Sequence, residues 1–168
     1  MTPETTCCFS GHRPPRLPWG DDEADPRCLA LKARLGQVLE DAWAQGYRHF
    51  LCGMAQGTDL YFCQAVVDLR ARHPEITLEA AIPFAGQADR WPEGDRLRRL
   101  ALLDQCDLET VVQHTYTPGC MGRRNRYMVD RSSLLIAVYD GIPQGGTMNT
   151  LAYAMRKGVE TVILPVEE

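Results

Sequence analysis

A chain of 168 residues with 45% hydrophobic and 24% charged content has material for one domain and a real core. A formal charge of −4 excludes the broad Lys/Arg face of a nucleic-acid groove, and no apolar run approaches bilayer length. Together with the polar start, Met1 to Thr6, this leads us to expect a cytoplasmic protein without membrane contact.

Short apolar runs alternate with helical patterns, the sign of βαβ units and a mostly parallel sheet. The first strand is predicted over Thr5–Ser10. Asp25-Pro26 supplies an N-cap with Pro at the first helical position, and Cys28, Leu31, Leu35, Val38, Leu39 and Ala42 follow at helical spacing until Gly46. Arg48–Cys52 reads as the second strand, followed by a helix with Leu60, Cys63, Val67 and Ala71 on one stripe. Thr77–Ile82 is the third strand, ended by Pro83; Pro92 opens a helix with Leu97, Leu100 and Leu103 inward. Leu108–Gln113 reads as a short edge strand, and an Arg-rich helix runs from Gly122 to Arg131. Ser133–Tyr139 is predicted as a strand buried on both faces. The loop Asp140–Gly146, a helix with Met148, Leu151, Ala152 and Met155, and a strand Thr161–Pro165 complete the chain. Residues 1–168 read as one domain without repeat or linker.

Seven cysteines at irregular spacing, with no Cys-x-x-Cys pair or Cys/His cluster, predict free thiols and no metal site.

Three loops after predicted strands carry the unusual residues: Ser10-Gly11-His12-Arg13, then Cys52 to Asp59, then Asp140 to Thr147 with its Gly145-Gly146-Thr147. In a doubly wound sheet such loops share one edge, where ligands bind at the switch in strand order. Glycine admits close backbone approach, and the free N–H groups of a helix start attract anions. Any one glycine reads more simply as a turn residue; two such turns beside Ser-Gly-His-Arg favour a phosphate cradle. Neither turn is a Walker A loop or a Gly-x-Gly-x-x-Gly fingerprint.

Ser10-Gly-His-Arg13, Cys52-Gly-Met-Ala-Gln-Gly-Thr-Asp59 and Ile82-Pro-Phe-x-Gly-Gln-x-x-x-Trp-Pro92 form a specific set. With Arg124-Asn-Arg-Tyr-Met-Val-Asp130 and Ala137-Val-Tyr-Asp-Gly141 before Gly-Gly-Thr147, the set resembles the YpsA-like family, which includes YoqJ-type prophage proteins. That family belongs to the SLOG superfamily, with the LOG phosphoribohydrolases and the DNA-processing protein DprA. The resemblance spans Ser10 to about Gly158 and implies a Rossmann-like three-layer αβα sandwich. It also implies a site for a nucleotide or nucleotide-sugar, such as an ADP-ribose derivative, and no established cofactor. SLOG relatives often form dimers, so a homodimer is an open expectation.

The residues offered for ligand binding are Ser10, Gly11, His12 and Arg13; Gly53, Met54, Ala55, Gly57, Thr58 and Asp59; Asp140, Gly145, Gly146 and Thr147; and Arg126. Asp59, Arg126 and Asp140 are the candidates for catalysis, but LOG-type enzymes place a glutamate after their Gly-Gly-x-Gly-Thr loop. Here no carboxylate occurs between Asp140 and Glu160. A binding protein is therefore preferred to a hydrolase of N-glycosidic or phosphate bonds, and a single-stranded DNA partner ranks third for want of a basic, aromatic strip.

Several residues keep a plain alternative. Arg126 and Asp130 read equally as a surface i,i+4 pair. His12 reads as a hydrogen-bonding or turn-capping residue before a general base. Asp59 reads as a helix-start residue or a ribose ligand. Phe84 and Trp91 stack on a base or pack in the core. Pro14–Trp19 is a rigid surface loop or a lid.

Overall fold

The computed structural model describes residues 1–166. Its strands are β1 (Thr6–Gly11), β2 (His49–Cys52), β3 (Thr77–Ile82), β4 (Leu108–Val111), β5 (Leu134–Tyr139) and β6 (Glu160–Pro165). Between them run α1 (Pro26–Ala44), α2 (Thr58–Arg72), α3 (Glu93–Asp104), α4 (Cys120–Asp130) and α5 (Gly146–Arg156). The strands form one parallel sheet in the order β4-β3-β2-β1-β5-β6. The chain winds outward from β1 to β4, then crosses back through α4 to β5 on the other side of β1. The switch point thus falls between β1 and β5, where Gly11 lies opposite Val138.

Two-residue alternation assigns each strand residue to one of two cores. Cys7, Phe9, Phe50, Cys52, Leu78, Ala80, Ile136 and Val138 pack with α1 and α2; Cys8, Leu51, Ala81, Leu135 and Ala137 pack with α4 and α5. This is the three-layer Rossmann-like sandwich, with strands apolar on both faces because both are covered. The start of α1 follows the expected cap: Asp25 accepts from the Arg27 N–H at 2.8 Å, with Pro26 at the first position. All seven cysteines are free thiols.

Four helix faces differ from the sequence reading. On α3, Leu97 and Leu100 are each 57% exposed, and Arg99 and Leu102 turn inward. Arg99 takes an interior place because it donates to Gln87 Oε1 at 2.9 Å and lies beside the Trp91 ring. On α2, Ala71 is exposed, while Tyr61, Phe62, Val66 and Leu69 widen the buried face. The cause is position: α2 packs against α1, α3 and three strands at once. On α5, Met155 is exposed and Met148 and Ala152 are half-buried; the inward stripe is Thr147, Thr150, Leu151 and Ala154. Thr150 is admitted because its hydroxyl donates to the Gly146 carbonyl at 2.8 Å. On α4, Asp130 does not pair with Arg126 but accepts from the Tyr153 hydroxyl at 2.6 Å. The Pro14–Trp19 segment is anchored rather than free to act as a lid. Leu17 and Trp19 are buried, and the Trp19 indole donates to the Tyr61 hydroxyl at 3.0 Å.

The α3 correction has a direct test. Leu102→Ala should cost about 2–5 kcal/mol, whereas Leu100→Ser should stay within about 0.5 kcal/mol of the parent. Urea denaturation of both variants distinguishes the two faces.

Candidate functional site

The loops after β1, β2 and β5 meet at the switch point. The His12 carbonyl accepts from both the Thr58 hydroxyl (2.8 Å) and the Thr58 N–H (3.2 Å), joining the first loop to the start of α2. Asp140 then joins the first loop to the third. Its carboxylate accepts from Arg16 Nε (3.0 Å) and Nη2 (2.8 Å), and Arg16 Nη1 reaches the Gln144 carbonyl at 2.8 Å. Although desolvation would raise it, the Ile142 N–H and Arg16 hold the Asp140 carboxyl below its usual range.

His12 is buried and faces the same residue. His12 Nε2 lies 3.1 Å from the Asp140 backbone nitrogen and 3.2 Å from Asp140 Oδ1. Burial pushes the imidazole below its ordinary range, outweighing the opposite pull of Asp140.

These joints enclose a cavity of about 340 Å³. From the sequence-predicted set, Ser10, Gly11, His12, Arg13, Ala55, Asp59, Gly145, Gly146 and Thr147 line it. Phe9, Pro15, Arg16, Met121, Arg124 and Asn125 complete the wall. Six predicted residues stand behind or beside it instead. Thr58 is spent on the His12 carbonyl, and Asp140 on Arg16. Gly57 (φ +84°) forms the tight entry to α2, where a Cβ would meet the His12 carbonyl at 2.9 Å. Met54 is fully buried in the core at φ +59°, a left-handed conformation rare for a side chain of this size. Arg126 is exposed on α4, turned toward a neighbouring cleft.

Gly53 also lies outside the lining, and its place explains the arginine that the sequence reading missed. Arg124 is only 4% exposed. Its Nη1 donates to the Gly53 carbonyl and its Nε to Asn125 Oδ1 at 2.8 Å. A Cβ on residue 53 would sit 2.6 Å from Arg124 Nη1 and 2.9 Å from Asp59 Oδ2. The absence of a side chain there leaves room for the guanidinium. Arg124 Nη2 makes no hydrogen bond among the described residues and reaches the cavity. The signal was present in the sequence: Cys120, Arg124 and Met128 form an i, i+4, i+8 stripe that is buried throughout.

Three arginines, Arg13, Arg16 and Arg124, line the cavity with one carboxylate, Asp59. Arg16 is neutralised by Asp140, but the Arg13 side chain is exposed and forms no ion pair or hydrogen bond among the described residues. The carboxylate in the wall, Asp59, accepts the Ala55 N–H at 3.0 Å. Its burial pushes the carboxyl up despite the pull of Arg124. At the third loop, Gly145 (φ +97°) caps α5 without any side-chain bond, and a Cβ there would strike Arg16 Nη1. The Gly146 and Thr147 N–H groups therefore begin α5 unpaired at the cavity wall. Phe84 and Trp91 line a different hollow, with Phe84 packed edge-on against Tyr116 at 5.3 Å.

The family described as the YspA SLOG family (YpsA) matches residues 7–163, a span holding all three loops and α4. The chain belongs to this YpsA family. The SPbeta prophage-derived protein YoqJ of Bacillus subtilis is 32% identical over 145 residues, covering 79% of this chain and 84% of the relative. A UPF0398 protein of Bacillus velezensis is 26% identical over 130 residues, covering 76% of this chain and 69% of the relative. Among solved structures, DNA processing protein A from Helicobacter pylori, described for its single-stranded DNA binding mode, superposes with a TM-score of 0.63. It is 16% identical, and the match covers 99% of this chain and 67% of that one, a likeness of fold. In this YpsA-family chain, the motif Arg124-Asn125-Arg126 divides its labour: Arg124 and Asn125 enter the cavity wall and Arg126 leaves it.

Two measurements check this geometry. Gly53→Ala should destabilise the fold by about 1–3 kcal/mol by displacing Arg124. The loss should shrink in an Arg124→Met background, and additive losses in that double-mutant cycle would separate the two residues. The second concerns pH. Because the His12 pKa is lower folded than unfolded, the unfolded chain takes up the proton first. Stability due to neutral His12 is therefore complete at higher pH and is lost as pH falls through the ordinary histidine value of 6.5. The melting-temperature gap between the parent and His12→Asn should narrow from pH 8 to pH 5.5, roughly the window in which an ordinary histidine gains its proton. A constant gap would mean that His12 titrates normally.

Proposed function

We propose that this protein binds a nucleotide or nucleotide-sugar through its phosphate in the cavity between β1 and β5, as a sensing or sequestering protein. The observation that carries this reading is Arg124: an almost fully buried guanidinium with an unpartnered nitrogen reaching the cavity. Burying a charge is costly unless a counter-charge compensates; no salt bridge to Arg124 forms among the described residues, and burial pushes its guanidinium down despite the pull of Asp59. A phosphate against Arg124, Arg13 and the unpaired N–H groups of α5 would complete the set. Membership of the SLOG family supports a nucleotide-related role in general.

Hydrolysis of an N-glycosidic bond is the second reading, and it has Asp59 in its favour. A carboxyl raised by burial in a cavity wall is poised for proton transfer. Chromatography of candidate nucleotides after incubation separates the two readings, since binding alone leaves them intact.

Thermal unfolding against a panel of mononucleotides, nucleotide-sugars and ADP-ribose derivatives tests the binding reading. A ligand at a hundred times its dissociation constant adds about 2.7 kcal/mol, a melting shift of roughly 5–10 °C for a chain of this size. Arg13→Gln, at an exposed unpaired position, should keep the unliganded melting temperature and weaken binding about tenfold, the loss of one charge-assisted bond. A panel without any shift would refute the reading.

A further inference from the structure

A second hollow adjoins the cavity. Met121, Asn125 and Gly146, which line the cavity, also line this hollow of about 500 Å³ between α4 and α5. Its far wall carries Arg126 and Arg156, and no carboxylate lines it. Arg126 has no ion pair or hydrogen bond among the described residues. Arg156 has the Tyr153 ring beside it, at 5.8 Å, and no acidic partner among the described residues. The acid on α4, Asp130, is engaged with the Tyr153 hydroxyl.

Two uncompensated guanidinium groups on one cleft repel each other, and exposed arginines often exist in that state, hydrated by water. Adjacency to the first cavity argues for more than hydration here. Both hollows touch Gly146, the first residue of α5, whose N–H is unpaired. Positive groups thus line neighbouring hollows on either side of the start of α5, Arg13 and Arg124 in the first, Arg126 and Arg156 in the second. A single phosphate occupies one hollow of the pair.

Resting on the nucleotide reading above, we propose that the ligand carries a chain of at least two phosphates. The first lies against Arg124 and the start of α5, and the next lies in the cleft of Arg126 and Arg156. The ligand class is a nucleoside di- or triphosphate, or a nucleoside bridged to a sugar by a diphosphate, in preference to a nucleoside monophosphate.

Isothermal titration of the full chain tests this with inorganic phosphate, pyrophosphate and tripolyphosphate, then with AMP, ADP, ATP, GMP, GDP, GTP and ADP-ribose. The expected result is a gain of at least tenfold on adding the second phosphate. The Arg126→Glu/Arg156→Glu double variant should abolish that gain while holding monophosphate affinity within about twofold, since the two sites are distinct. Its unliganded melting curve, unchanged from the parent, shows that the surface change leaves the fold intact. A gain with free di- and triphosphates but not ADP-ribose assigns an open phosphate chain; the reverse assigns a bridged one. Equal affinity for mono- and diphosphates overturns the inference alone, as does an equal loss for both in the double variant. Failure of every nucleotide to bind overturns the nucleotide reading with it, and tight binding of an oligothymidylate in their place redirects both to single-stranded nucleic acid.

Discussion

The Gly53 carbonyl receives hydrogen bonds from two directions, from Arg124 on α4 and from Gln87 in the loop after β3 at 3.0 Å. Gln87 is held in turn by Arg99 of α3. The end of β2 thereby becomes a fixed point for two helices and a loop, and two interior arginines depend on it. Such an arrangement is stable only if residue 53 has no side chain, because Arg124 occupies the space a Cβ would take. The same requirement propagates outward. With Arg124 fixed, Asn125 and Met121 are set at the cavity wall, and Arg126, two positions on, must point away.

Charge at the site arises by subtraction. The chain carries a net charge of −4, yet arginines outnumber acids at its switch point. Asp140 is consumed by Arg16, and Asp59 accepts the Ala55 N–H. What remains is Arg13 and Arg124. At the wall of a cleft such local charge counts for more than the total charge.

The inner strands were legible in the sequence because both faces of the sheet are covered there, so β5 is a short unbroken apolar run; β3 appears at Thr77–Ile82 as read although it carries Glu79. Helix faces were less legible. On α3, Leu97 and Leu100 obey the helical period, but an arginine bonded to a glutamine took the interior place that the period assigned to leucine. The site loops could be located from their glycines, but not the role of each glycine. Gly53 makes room for a side chain, Gly57 for a carbonyl, and Gly145 for Arg16. Those distinctions depend on partners distant in sequence. Arg126 was weighed as a phosphate ligand against a surface pair with Asp130, and Arg124 was not weighed at all: an interior arginine declares itself only through the stripe it shares with Cys120 and Met128.

The Arg16–Asp140 clamp joins residues 124 positions apart. Loops closed over such distances form late, since the entropy of closure must be met before the contact contributes. During synthesis on the ribosome the first loop emerges early, but its partner in the third loop and the start of α5 follow more than a hundred residues later. Nascent chains that have already packed β1 to β4 would still lack this cavity, so ligand capture belongs to the finished protein. A small ligand seated there would act as a seal on completed folding, stabilising only chains whose two ends have met.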